Sequence, residues 1–312
     1  MRYLRRLIAK LNNLAGSHAQ LEQLVRRVDQ LQQAMGRIEL RQQQQNPSTD
    51  LRDHEFQVSS QWGEDGIIQY LIRHIEIPSK FFVEFGVQNY TESNTRFLLQ
   101  HNNWSGLVID ASAEHIDYIR RDPIYWRHNL KADCAFIDRD NINDLLERNS
   151  VCGDIGLLSI DIDGNDYWVW DAIRVIQPRI VVCEYNSLFG SRRAVTVPYD
   201  QHFERHQAHF SGGYFGASIA ALNHLAQLKG YSLVGANGIG INAFFVRKDV
   251  IGRLPALSPQ QAYVKSQVRD TRNSQGQLTF ACFEERRALI AAMPLYDIER
   301  DKVVEVKDLA VE

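Results

Sequence analysis

The densest group of chemically active side chains lies in SIDIDGNDYW, where Asp161, Asp163 and Asp166 fall within six residues, beside Gly164. Massed carboxylates repel one another and need a cation, a shared proton or water to offset them. The spacing is close to that of a calcium loop, but the twelfth position counted from Asp161 is Ala172, where such a loop needs a bidentate glutamate. One Mg²⁺ ion or the ammonium of a cofactor suits the group better; a solvated acidic rim is the alternative. Glu184 and Asn186, in CEYN, end another apolar run and would reach the same place if the two runs are neighbouring strands. Asp161, Asp163 and Glu184 are therefore candidate metal ligands. They are also candidate catalytic residues, with Asp163 first in line as base or ligand. His202, His206 and His209 are spaced by four and three, one face of a helix if the segment is helical. His202 is the further candidate base, and a lid with incidental histidines is the bland reading.

A second constellation is FVEFGVQNYTESNT, residues 81–94. A dinucleotide loop needs three glycines so that backbone can approach a pyrophosphate at a helix N-terminus. Here Gln88 and Thr91 stand where two of those glycines would be, and Glu84 would repel phosphate. Glu84, Gly86, Gln88 and Asn89 suit a cofactor with a cationic, zwitterionic end and no phosphates, such as S-adenosyl-L-methionine. The plainer reading of Glu84 is a cap for the following helix. Asp110, 24 residues after Gly86, stands where a carboxylate accepts both ribose hydroxyls. Asp133 and Cys134, after a third apolar run, mark where an adenine edge would be met.

These residues need elements to hold them. From residue 55 the chain alternates short apolar runs with amphipathic stretches: five strands interleaved with helices, then the strong helix FGASIAALNHLAQLKG, then YSLVGANG and INAFFVRKD as an antiparallel pair. That order predicts an α/β fold, a doubly wound, mostly parallel seven-stranded Rossmann-like sheet, with ligands at the carboxyl ends of its strands.

Ahead of this body, Leu21, Leu24, Val28, Leu31, Met35 and Ile38 follow 3-4-3-4-3 spacing, the a/d stripe of a coiled coil. Residues 1–46 read as an oligomerising helical arm, 47–54 as a linker and 55–312 as the catalytic domain. Leu4, Leu7, Leu11 and Leu14 with Arg2, Arg5, Arg6 and Lys10 would also let residues 1–15 lie on the inner face of an anionic membrane. Charge is divided unevenly. Residues 1–46 hold eight Lys/Arg against three Asp/Glu, and the other 266 residues hold 27 against 35, a net of −8. A body this acidic is a poor match for nucleic acid, whose binding rests on phosphate neutralisation. Cys134, Cys152, Cys183 and Cys282 form no CxxC or zinc spacing. Three lie in or near apolar runs, as buried thiols do, which points to a reducing, cytoplasmic compartment.

Taken in order, SQWGEDG, FVEFGVQNY, GLVIDAS, LLSIDIDGND and VVCEYN resemble the FkbM-type S-adenosylmethionine-dependent methyltransferases over roughly residues 57–250. The resemblance implies that Glu84, Gly86 and Asp110 hold the cofactor and that Asp161 and Asp163 lie beside the transferred methyl. VEFGV and DIDGNDY also look like the metal-dependent sugar O-methyltransferases of macrolide pathways. Those place adjacent aspartates where this chain has Glu184-Tyr185-Asn186. O-methylation of a saccharide or glycolipid hydroxyl is the activity the likeness implies. An NAD(P)-dependent oxidoreductase and a non-catalytic coiled-coil scaffold are the rival readings. Arg192 and Arg193 would meet an anionic saccharide, and Tyr199, Phe203, Tyr214 and Phe215 would stack on sugar rings.

Overall fold

A computed structural model describes residues 2–310, with residues 2–19 and 22 described by backbone alone. The side chains of the basic segment read for membrane contact lie outside the described residues. The chain opens with one helix, α1 (Arg2–Gln43), about 63 Å long at 1.5 Å per residue. Two faces of it do different things. Gly36 packs on Val58 and Phe97, leaving no room for a Cβ, which would lie 2.5 Å from Val58 Cγ2. Gln33 bonds to Gln100, and Gln43 donates to the carbonyls of His54 and Gly66. The heptad stripe from Leu21 to Ile38 is 46–65 % exposed, and its first half, Leu21, Leu24 and Val28, faces a cleft against the body. A cleft of about 1410 Å³ lies between the middle of α1 and the segment around Glu114–His128.

The stretch read as a linker is packed against the body. Leu51 is buried beneath Gly235, and the His54 ring stacks on Tyr70 at 3.9 Å. Burying a leucine is worth about 1.5–3 kcal/mol, enough to fasten a short connection. After it come α2 (Glu64–His74), β1 (Phe81–Phe85), α3 (Arg96–His101), β2 (Ser105–Asp110), α4 (Ala113–Arg121), α5 (Pro123–Arg127), β3 (Leu130–Cys134), α6 (Ile142–Arg148), β4 (Gly153–Ile160), α7 (Asp166–Ala172) and β5 (Ile176–Glu184). The five strands are parallel neighbours, and all but the edge strand β3 carry apolar runs buried on both faces, as a covered parallel sheet requires. α2 to α5 pack on one face and α6, α7 and a later helix on the other.

The chain then leaves the sheet for a two-residue strand, β6 (Val195–Thr196), and a one-turn helix, α8 (Arg205–Ala208). It returns through α9 (Ile219–Lys229), closed by Gly230 in the left-handed conformation, and through the hairpin β7 (Tyr231–Ala236) and β8 (Asn242–Arg247). The sheet order is β3-β2-β1-β4-β5-β8-β7, with β8 antiparallel to its neighbours. This is the mostly parallel seven-stranded architecture expected from the sequence. The remaining chain forms α10 (Pro259–Ala262), α11 (Phe283–Leu289), β9 (Pro294–Asp297) and β10 (Lys302–Glu305); the last two strands join β6 in a small sheet.

All four cysteines are free, but only Cys183 is buried. Cys134 and Cys152 are exposed and Cys282 is intermediate. The expectation of three buried thiols fails because Cys134 ends an edge strand and Cys152 precedes β4, where neither is covered.

Candidate functional site

Strand register decides which residues meet. Phe85 pairs with Ile109 of β2 and Ile160 of β4, and Ile160 pairs with Cys183 of β5. The next residues along each strand, Gly86, Asp110, Asp161 and Glu184, therefore stand at one level across the carboxyl edge. Strand order reverses between β1 and β4, so Gly86 and Asp161 flank the switch point where α/β sheets hold ligands. The tips touch: Gly86 has φ +72°, and a Cβ there would lie 1.6 Å from the Asp161 carbonyl oxygen.

Glu84 is buried and turned into its own loop. It accepts from the Ser93 hydroxyl (2.8 Å), the Asn94 amide (2.8 Å), the Thr95 amide (3.1 Å) and the Thr95 hydroxyl. Burial pushes its carboxyl up, and those bonds oppose the shift. These bonds are those of the plainer reading, a cap that fixes the approach to α3. Gln88 and Asn89 form the turn beyond Gly86. The Gln88 amide donates to Asp110 Oδ2 at 2.7 Å, and Asn89 Oδ1 accepts from the Thr91 amide and hydroxyl. Asp110 Oδ1 accepts from the Ser112 amide (2.8 Å) and lies 3.2 Å from His115 Nδ1, a neighbour the sequence did not single out.

Asp133 pairs in register with Ile109, one residue short of the common level. Its Oδ2 is held by Arg148 and Asn149, each at 2.7 Å. The Asp133 carboxylate is thus tied to the end of α6.

Carboxylate oxygens of Asp161, Asp163 and Glu184 lie within 4.8 Å of one another. Glu184 is buried and its Oε2 has no partner. Burial, then the charges of Asp161 and Asp163, pushes the Glu184 carboxyl well up; Arg205 opposes this. Asp161, also raised by burial first, shares the same repulsion. Asp163 is exposed, in a left-handed turn with φ 57°, and accepts from Arg205 Nη1 at 2.9 Å. Asp166 serves the turn, accepting from the amides of Ile162 (2.9 Å) and Gly164 (3.0 Å). Asn186 is likewise spent on structure, capping Leu188 and donating to the carbonyls of Gly213 and Phe215.

The histidines do not share a helix face. His202 lies exposed in a turn before α8, and His209 lies past its end, with Nδ1 2.7 Å from the Ser211 hydroxyl. The helical premise fails because α8 is four residues long. Arg193 is paired with buried Asp297 and so is not poised for an external anion. Tyr214 is buried with its hydroxyl on the Pro294 carbonyl, and the Phe203 ring fills the space beside Gly164. Phe215 carries the Arg205 guanidinium over its face at 3.9 Å.

Asp161 and Glu184 open into a cavity of about 140 Å³ whose other walls come from distant segments: Trp62, Arg205, Asp270 and Arg286 among them. Arg205 lies within 3.4 Å of Asp270 as well as against Asp163. Sequence reasoning missed Arg205, Asp270 and Arg286. Each sits among other charged residues that look like solvated surface, and no local spacing marks them.

No protein-family model matches the chain, and no curated protein matches it. Among solved structures, it is similar to an O-methyltransferase from Bacillus cereus in complex with SAH, at 15% identity and TM-score 0.39, covering 66% of this chain and 88% of that one. It is also similar to the N-terminal domain of EvdMO1 with SAH bound (12% identity, TM-score 0.37, 64% and 80% covered). A third is an S-adenosylmethionine-dependent methyltransferase from Clostridium acetobutylicum (10% identity, TM-score 0.36, 59% and 90% covered).

Proposed function

We propose that the protein is an S-adenosylmethionine-dependent O-methyltransferase acting on a hydroxyl of a saccharide or glycolipid. One observation carries this reading: a single-glycine turn at the switch point has Asp110 on one side and the Asp161–Glu184 pair on the other, all at one level. Asp110 suits a ribose, and the acidic side suits a sulfonium and an ammonium. A pyrophosphate has no seat, because α3 starts ten residues past Gly86 at Arg96, and the amides leading into it, Asn94 and Thr95, are taken by Glu84. This weighs against the dinucleotide reading.

Bound S-adenosylmethionine would supply an electrophilic methyl for in-line transfer. The chain's own task is alignment and removal of the hydroxyl proton. Asp161 and Glu184, both raised by burial and by neighbouring carboxylates, are the candidate bases, and Asp163 is engaged with Arg205. Asp161, Asp163 and Glu184 are also the residues that would hold a divalent cation, which would act as a Lewis acid on the hydroxyl. Self-association belongs to the same proposal. The stripe from Leu21 to Ile38 is exposed and has coiled-coil spacing, and Leu31, Met35 and Ile38 lie off the cleft against the body, so a second copy's α1 is its partner. A cytoplasmic site of action, with the N-terminus at a membrane face, completes it; among the described residues no helix is long and apolar enough to cross a membrane.

Titration calorimetry with S-adenosylmethionine and with NAD tests the reading. The first binds and the second does not, and Asp110→Ala weakens the first by about 10–100-fold, the worth of hydrogen bonds to a charged acceptor. Binding of NAD alone would overturn it. Repeating the titration with Mg²⁺ and with EDTA tests the cation.

A further inference from the structure

Arg286 comes from α11, outside the seven-stranded sheet, and lines the same cavity as Asp161 and Glu184. It is 6 % exposed. Its Nη1 donates to the Val268 carbonyl, its Nε is buried with no partner, and among the described residues Nη2 has no hydrogen-bond partner. Among the described residues no carboxylate bonds to it; Asp270, in the same cavity, acts on its charge only at longer range, and Arg205 repels it. A buried guanidinium with no counter-ion is costly, so such groups are ordinarily paired.

Elsewhere the chain obeys that rule. Arg148 grips Asp133 and Arg193 grips Asp297, each through the side-on fork of Nε and Nη2. Arg179 holds Asp154 in the same way. Arg205, the other arginine of the cavity, is met by Asp163 and Asp270. At Arg286 the same fork holds no carboxylate. Planar, bidentate donors of this kind match a carboxylate or phosphate. The cavity, about 140 Å³, is well below the roughly 300 Å³ at which whole-ligand pockets begin. It admits a group of a few heavy atoms while the rest of the molecule lies outside. Trp62, at 36 % exposure, is among the residues that line the cavity.

We propose that the acceptor carries an oxyanion, a carboxylate or a phosphate, and that Arg286 binds it through Nε and Nη2, so fixing which hydroxyl meets Asp161 and Glu184. This rests on the methyltransferase reading for the role of the anion; the binding site itself stands on the buried, unpaired guanidinium that lines the cavity. The test uses the full chain with four probes: glucuronate, glucose 6-phosphate, inorganic phosphate and neutral methyl glucoside. Each is followed by thermal shift and by calorimetry, with and without S-adenosylhomocysteine. At least one anionic probe should raise the melting temperature of the wild type while the neutral glycoside does not. Arg286→Gln should weaken that probe by at least about tenfold, the loss of a charge-assisted bidentate pair, with S-adenosylhomocysteine affinity unchanged. Preference for glucuronate over both phosphates identifies a carboxylate; the reverse identifies a phosphate. The proposal is overturned if no anion shifts the wild type, or if Arg286→Gln binds the anion as well as the wild type does. The wild-type shifts decide the matter even if the variant folds poorly. Loss of S-adenosylhomocysteine binding by the wild type would sink the methyltransferase reading instead, and leaves anion binding separately legible.

Discussion

At Gly86 two requirements meet, a left-handed backbone and the absence of a side chain. The φ of +72° is one that L side chains rarely adopt, and the Asp161 carbonyl occupies the space a Cβ would need. Gly86→Ala must therefore part the tips of β1 and β4. It should cost at least about 2 kcal/mol in urea unfolding and abolish measurable S-adenosylmethionine binding. An alanine variant with wild-type stability and affinity would show that the two tips do not need this contact. Glu84 shows a different kind of residue-scale outcome. An acid at a strand end looks like a ligand for a cation, yet its oxygens are consumed by four donors of its own loop. Sequence can name the acid but not the direction in which its lone pairs are spent.

Among the elements, α9 carries a titration outside the site. Lys229, its last residue, donates to the Ile173 carbonyl at 2.9 Å. Burial, reinforced by Arg174, lowers its pKa from 10.5 to about 8. The folded state then holds fewer protons than the unfolded chain between about pH 8 and 10.5. Stability relative to Lys229→Met should be flat below pH 8 and rise in favour of the wild type through that window. The full shift would be worth about 3 kcal/mol; the partial exposure of the side chain reduces the expected gain to about 1–2 kcal/mol. Urea midpoints of both proteins at pH 7, 9 and 10.5 measure it, and a difference independent of pH would refute it.

For the whole molecule, the two-faced α1 sets the expectation. One face is fastened to the body by Gly36 and Gln43, and the other presents Leu31 and Met35 to solvent. Leu31→Glu with Met35→Glu should turn an oligomer into a monomer in sedimentation without lowering the melting temperature of the body, because both are exposed and neither lines the cleft against it. An assembly unchanged by both charges would place its interface elsewhere.

The strands, their order along the chain and the acids that end them were legible because a buried parallel strand must be an apolar run and its ligand-facing end must turn polar. Asp110, Asp161 and Glu184 follow from that rule alone. Register is a different matter. It puts Gly86, Asp110, Asp161 and Glu184 at one level and leaves Asp133 one residue below, on Arg148. It follows from pairings between segments that carry no mark of their partners. The walls of the cavity lay furthest from reach. Trp62, Arg205, Asp270 and Arg286 are separated by up to 224 positions (286 − 62) and join only when the chain beyond the last sheet strand folds back over the tips. Hydrophobic burial imposes a period on neighbouring residues and so is written locally. A charge placed opposite another across a cavity obeys no period, and only the tertiary structure decides it.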